Sequence, residues 1–342
     1  MKTKEVLGVL LILLGLSSCI TKDNEKFALK EIASSKGLWT GIAISGKDRI
    51  FVNFPRWSEN VPISVGELKD VEIVPYPNND FNNPAIGFNC IQSVFVDRND
   101  ILWVLETNNP MFMGVKDPGP ALYKFDLSKD SLIKKYNFDS TTFLSNSYFN
   151  DVRIDEVKEV AYITDSGTGA IITLDLQTGE CKRLLANHYS TKAERNYLII
   201  NSKKWSNTVH SDGIALSPDR AYLYYIALTG DHLYRIATKE LLNPDLSEAE
   251  LEEHVEKVIK TGPADGMLFN EQGDLFMANL ESNSVIKFNY PNKLQTVVKG
   301  SQIKWADSFS KDSQGNIYFT TSQIHLSEKE RSDYRIYKIG EN

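Results

Sequence analysis

Six recurrences of one short pattern, strand-length apolar alternations between turn residues, and strand-like sequences at both ends of the chain predict an all-β protein. The fold they specify is a six-bladed β-propeller closed by pairing of its N- and C-terminal strands. The centres of the six copies read RIFV (49–52), ILWV (101–104), VAYI (160–163), YLYY (222–225), DLFM (274–277) and NIYF (316–319). Counting back 11 or 12 residues from Phe51, Trp103, Tyr162, Tyr224, Phe276 and Tyr318 reaches Thr40, Gln92, Asn150, Asp212, Asp265 and Asp307. In a blade these six polar residues open the innermost strands. The repeat therefore gathers them at one mouth of a central channel.

The first 19 residues read as an address. Lys2 and Lys4 precede an apolar run, 6–16, that is short for a membrane span. The run ends Leu16-Ser17-Ser18-Cys19, which resembles a bacterial lipobox lipidated on its cysteine; an ordinary secretory peptide with a free cysteine is the other reading. Residues 20–26 form a polar tether and 27–342 the propeller. The expectation is an exported globule of the bacterial cell envelope, touching the membrane through a lipid anchor only.

Apolar alternation marks the strands, and Gly, Asn and Asp clusters mark the turns. Blade one uses 40–45, 49–54, 61–65 and 70–75; blade two uses 91–96, 100–106, 121–127 and 131–137. Blade three covers 149–185, and blade four takes 212–216, 222–228 and 233–238. Blade five takes 265–269, 274–279, 284–289 and 294–299. Blade six has three strands from Asp307 to 339, and Phe27–Ala33 supplies its outermost strand. Two insertions, 108–120 and 188–207, fall on the channel-mouth face, where recognition loops belong. A third, 245–259, reads as a helix with a Ser247/Glu250 capping box and a stripe of Leu251, Val255 and Val258.

Of 342 residues, 42% are apolar and 11% aromatic, enough for a large core. The net charge of −7 comes from 38 basic and 45 acidic residues with no basic stripe, which argues against nucleic acid as a partner. Cys90 and Cys181 lack diagnostic spacing, so the sequence leaves a bridge between them open. HExxH, GxSxG and GxxxxGK motifs are absent.

The second strand of a blade returns to the face where the first began. Glu106, Asp165 and Asn279 are therefore expected beside Asn150, Asp151, Asp212, Asp265 and Asp307. Oxygens converging without thiols suit a hard divalent cation, Ca²⁺ foremost; capping of local turns is the competing reading for each Asp. His210 stands two residues before Asp212. Arg56 and Trp57 offer charge and stacking to an anionic or aromatic ligand, or else pack the rim. Trp305 reads as core.

The segments RIFVNFPRW (49–57), ILWVLETN (101–108), ALYKFDL (121–127), FNDVRIDEVKEVAYITDSGTGAIITLDL (149–176), DGIALSPD (212–219) followed by LYRIAT, and DGMLFNEQGDLFMA (265–278) resemble, in this order, the yellow/major royal jelly protein family. That family includes bacterial members described as related to dopachrome tautomerase, and ligand-binding, nutritive and pigment-related proteins. Asn150-Asp151, Asp212-Gly213 and Asp265-Gly266 are also similar to the metal-site motifs of the senescence-marker/gluconolactonase propellers, which hold a divalent ion with a Glu, two Asn and an Asp. That likeness implies Asn150 as an amide ligand and Asp265 as ligand and base. Asp212 stands where the second Asn is expected, and Thr40 where the Glu is expected.

Two expectations follow. One is a site for a small polar or aromatic metabolite at the mouth, with Asn150, Asp212 and Asp265 holding a cation or the ligand, and Asp265 and Asp212 serving lactone hydrolysis or tautomerisation. The other is a non-catalytic binding or surface scaffold whose loops at 108–120 and 188–207 contact a partner.

Overall fold

A strand with apolar residues on both faces needs a neighbour on each side, and a ring of sheets supplies it. The computed structural model describes residues 27–341; the address, the tether and Cys19 lie outside the described residues. It contains six four-stranded antiparallel sheets. Blade one is Ile42–Ile44, Ile50–Asn53, Val65–Lys69 and Glu72–Pro75. Blade two is Ile91–Val96, Ile101–Glu106, Ala121–Asp126 and Ser131–Asn137. Blade three is Phe149–Asp155, Val160–Asp165, Ala170–Asp175 and Cys181–Leu184. Blade four is Ser211–Leu216, Tyr222–Ala227, His232–Ala237 and Glu256–Lys260. Blade five is Met267–Phe269, Leu275–Asn279, Ser284–Asn289 and Lys293–Lys299. Blade six is Ala306–Lys311, Ile317–Thr321 and Tyr334–Glu341, with Phe27–Ser35 as its outermost strand. The two chain ends pair from Phe27 opposite Glu341 to Ser35 opposite Tyr334, which closes the ring as expected.

The core is six apolar clusters, one between each pair of successive blades. Alternation divides each strand between them: Phe51 joins the cluster facing blade two, and its neighbour Val52 the cluster facing blade six. All six repeating aromatics point the same way round. Phe51, Trp103, Tyr162, Tyr224, Phe276 and Tyr318 each pack toward the following blade.

Two strand expectations change. The third strand of blade one begins at Val65 rather than at 61. At 245–259 the Ser247/Glu250 capping box forms, but the helix is only Glu248–Glu253, and Glu256–Lys260 is the outer strand of blade four. The free edge of His232–Ala237 offers backbone partners that an extended helix would forgo. Leu251 then faces the core between blades three and four, while Val258 faces the one between four and five, so they do not share a stripe. The insertion at 188–207 carries a hairpin, Tyr197–Ile200 with Lys203–Ser206.

The innermost strands begin irregularly. Register shifts at Ile91/Ser93, Phe149/Val152, Ser211/Ile214 and Ala306/Phe309 put Gln92, Asn150, Asp151, Asp212 and Asp307 in bulges, which re-aim side chains. The Asp-Gly pairs have a steric cause. A Cβ on Gly213 would lie 2.1 Å from the Asp265 carbonyl oxygen, and one on Gly266 would lie 2.0 Å from that of Asp307. Blades three and six clasp their neighbours with a hydroxyl instead: Thr164 Oγ1 donates to the Asp212 carbonyl at 2.7 Å, and Thr320 Oγ1 to that of Thr40.

Gly266→Ala therefore forces a methyl group against backbone. Urea unfolding is expected to show a loss of about 1–3 kcal/mol, and an unchanged midpoint would refute the close approach as a constraint.

Candidate functional site

The bulges bring the ring residues of neighbouring blades into hydrogen-bond contact. Trp57 Nε1 donates to the Tyr148 hydroxyl at 2.6 Å, and that hydroxyl donates to Gln92 Oε1 at 2.8 Å. Gln92 Nε2 donates to Asn150 Oδ1 at 3.2 Å, and Asn150 Nδ2 to Asp212 Oδ2 at 2.7 Å. Asp212 and Asp265 share a hydrogen bond, and Trp305 Nε1 donates to Asp265 Oδ2 at 2.6 Å. One polar chain thus runs round the mouth through blades two to five, ended at each side by an indole.

Below it, Asp151 accepts from Ser93 Oγ at 2.7 Å and from Arg153 Nη1 at 2.9 Å. Arg153 Nη2 also donates to the Met267 carbonyl at 3.0 Å, so its side chain crosses the channel from blade three to blade five.

Asp151 takes Arg153, and for Asp212, Asp265 and Asp307 desolvation works against ionisation. Burial, then the charges of Asp265, Asp307 and Asp151, hold the Asp212 carboxyl well above the usual carboxylate range. Asp307 is raised likewise, by burial and then by Asp265. Burial pushes Asp265 up to about 7, while hydrogen bonds from Trp305 and Asp212 restrain it.

The neighbouring donors aim hydrogens at the pair. Asn150 turns its amide N–H toward Asp212, and the Trp305 N–H occupies one oxygen of Asp265. Among the described residues no three His, Cys, Asp or Glu side chains are grouped to hold a metal. Ca²⁺ bound here would require Asn150 to turn its amide oxygen inward and both carboxyls to be ionised.

Three expected ring members face elsewhere. Glu106 accepts from the Asn89 and Cys90 amides at 2.7 and 2.9 Å and from the Tyr123 hydroxyl. Asp165 accepts from the Tyr148 amide, Ser147 and Thr168 and pairs with Arg183 at 2.8 Å; burial alone would raise it, yet these partners hold it below its ordinary value. Asn279 donates to the Thr261 carbonyl and accepts from Ser282. Each ends a second strand, where the loop leading into its own blade leaves backbone groups unpaired.

Arg56 spends its guanidinium on the carbonyls of Asn89, Glu59 and Val61. Thr40 Oγ1 reaches the Gln92 carbonyl, not an incoming ligand. His210 Nδ1 accepts from the Ala193 amide at 3.0 Å, and burial followed by Lys192 lowers its pKa, so it stays neutral. Cys90 and Cys181 are free, and burial pushes the Cys90 thiol up to about 11.

Trp305 and Tyr148 are the residues that sequence reasoning missed. Both stand two positions before a ring residue, as His210 does, and that offset was the available signal. Trp305 has φ +67°, a costly conformation for a bulky residue. It is held by Asp265, by edge-to-face contact with Trp205 of the inserted hairpin at 4.9 Å, and by stacking on His325 at 5.7 Å. On the other side Phe112, from the loop at 108–120, stacks on Tyr148 at 5.0 Å and meets Trp57 at 5.6 Å.

Comparison with known proteins agrees with the repeat. The sequence model of the family described as Major royal jelly protein matches residues 90–340. Major royal jelly protein 3 of Apis mellifera is 24% identical over 269 residues, covering 73% of this chain and 48% of that protein. Protein yellow of Drosophila melanogaster is 24% identical over 226 residues, covering 59% of this chain and 41% of that one. The chain thus spans about half the length, or less, of these curated relatives. Among solved structures, regucalcin from Agrobacterium tumefaciens, a calcium-binding protein, superposes with TM-score 0.57 at 14% identity, covering 92% of this chain and 94% of that one. A gluconolactonase from Xanthomonas campestris gives 0.56 at 12% identity, covering 92% and 90%. At such identities the likeness shows the fold.

A carboxyl whose folded pKa is raised stabilises the fold fully at low pH and loses that contribution as pH rises through the folded value. For Asp265 the loss runs from about pH 4 to about pH 7. Asp265→Asn keeps an acceptor for Trp305 and removes the charge. Thermal unfolding is expected to find the variant equal to the parent near about pH 4 and more stable near about pH 8.

Proposed function

This chain belongs to the major royal jelly protein family, and from that premise we propose that its channel mouth acts on a small polar or aromatic metabolite through acid–base chemistry. The observation that carries the reading is the buried Asp212–Asp265 pair, held by donors from Asn150 and Trp305, whose carboxyls burial raises above the usual carboxylate range, Asp265 to about 7. A base and an acid side by side suit tautomerisation: Asp265 takes the proton from the carbon beside a carbonyl, and Asp212 delivers one to the carbonyl oxygen. In lactone opening, the second assay to run, Asp265 would take a proton from attacking water and Asp212 would protonate the departing oxygen. The Trp57, Phe112 and Tyr148 rings at the same rim offer an aromatic substrate a face to lie on.

A divalent cation enters this reading as a competitor for protons on the pair, and no step above passes through it. Export and a lipid anchor on Cys19 belong to the same proposal, resting on the leader sequence. Binding without turnover is the second reading. It is favoured by Phe112 and Met113, which are 61% and 58% exposed on the loop at 108–120 and available to a protein partner.

Enolisable aryl keto acids and aldonolactones are the substrates to screen. On the first reading kcat/KM rises to a plateau above about pH 7, Asp265→Ala abolishes turnover, and Asp212→Asn lowers kcat about 100-fold or more. Turnover that survives Asp265→Ala would sink it. Ca²⁺ is expected to raise the Tm more at about pH 8 than at about pH 5, where protons hold the pair.

A further inference from the structure

A large cavity of the described residues lies away from the carboxylate ring. It opens at the other end of the channel, where the first strands finish, and measures about 810 Å³. Its walls include Phe95, Leu268, Phe269 and Phe309, and its rim is the polar turns between first and second strands.

Arg153 also lines this cavity, although the residue is only 7% exposed. Its guanidinium lies over the Phe95 ring, 5.3 Å from the centroid. Of its five N–H groups, Nη1 serves Asp151 and the Val152 carbonyl, and Nη2 serves Met267. The Nε–H is buried with no partner. A guanidinium with donors to spare is an incomplete hydrogen-bond site, and a carboxylate is the acceptor whose geometry matches it.

We propose that the channel end opposite the ring is a second ligand site, for a monocarboxylate on an apolar body, with Arg153 meeting the carboxylate and the aromatic wall taking the body. The rim favours one charge over two. Arg98 gives its backbone N–H to Glu156 and its guanidinium to the Pro218 carbonyl, and its charge already acts on Glu271. Arg220 and Lys311 are already paired, with Glu156 and Glu271. Asp97, Asp100 and Asp312 line the same opening and would repel a dianion.

Phenylacetate and octanoate are the probes, with phenylacetamide and phenethylamine as the neutral and cationic counterparts, titrated calorimetrically into the intact protein. Phenylacetate is expected to bind at least about tenfold more tightly than phenylacetamide, and phenethylamine not at all. Arg153→Gln should remove that preference. Leu268→Trp, which narrows the cavity and leaves Arg153 in place, should weaken phenylacetate about tenfold or more even if the arginine variant fails to fold. Asp265→Asn, at the far mouth, should leave the affinity within about twofold. The proposal is overturned if the acid and its amide bind equally, if neither acid binds, or if Leu268→Trp leaves binding intact while Asp265→Asn abolishes it.

Discussion

Everything in this molecule hangs on a strand being apolar on both faces and a blade being unable to cover either face alone. The aromatic at the centre of each second strand makes this directional, because all six side chains are pressed into the next blade round. A one-residue slip in any blade would turn its aromatic toward the preceding neighbour and expel the ring residue from the mouth. Register, core and site are therefore one constraint, closed by the pairing of Phe27–Ser35 with Tyr334–Glu341.

Close contact between innermost strands creates the electrostatic problem at the mouth. Glycines at 213 and 266 let neighbouring backbones touch, and the adjacent Asp212, Asp265 and Asp307 are carried into one small volume. The fold answers with donors rather than with charge. Asn150 and Trp305 each give a hydrogen bond to the pair, whose carboxyls burial holds above their ordinary range. Arg153 is spent on Asp151 and on a carbonyl across the channel. The acid pair keeps a raised affinity for protons because burial and the neighbouring carboxyls both disfavour its charge.

The six-fold order was legible because period-two alternation and a fixed offset from aromatic to polar residue survive in every copy. The gathering of Asn150, Asp212 and Asp265 was legible for the same reason: equal positions in equal repeats converge. What escaped was local. Glu106, Asp165 and Asn279 carry the right chemistry at the right end of the blade, yet unpaired backbone in the loops before their own first strands claims them. The run at 245–259 has a true capping box, but the open sheet edge of His232–Ala237 is a stronger claim on Glu256–Lys260 than a helix stripe. Trp305 reads as core because it is buried; only the left-handed backbone and the aim of its N–H reveal what it holds.

The closing strand also sets a direction. Phe27 lies opposite Glu341 and Ser35 opposite Tyr334, so the chain enters the ring at the foot of blade six, on the side away from the acids. Under the proposed attachment through Cys19, the aromatic-walled opening is the end of the ring where the tether joins, and the acidic mouth is the opposite end. Two openings of one channel would then sample two different environments.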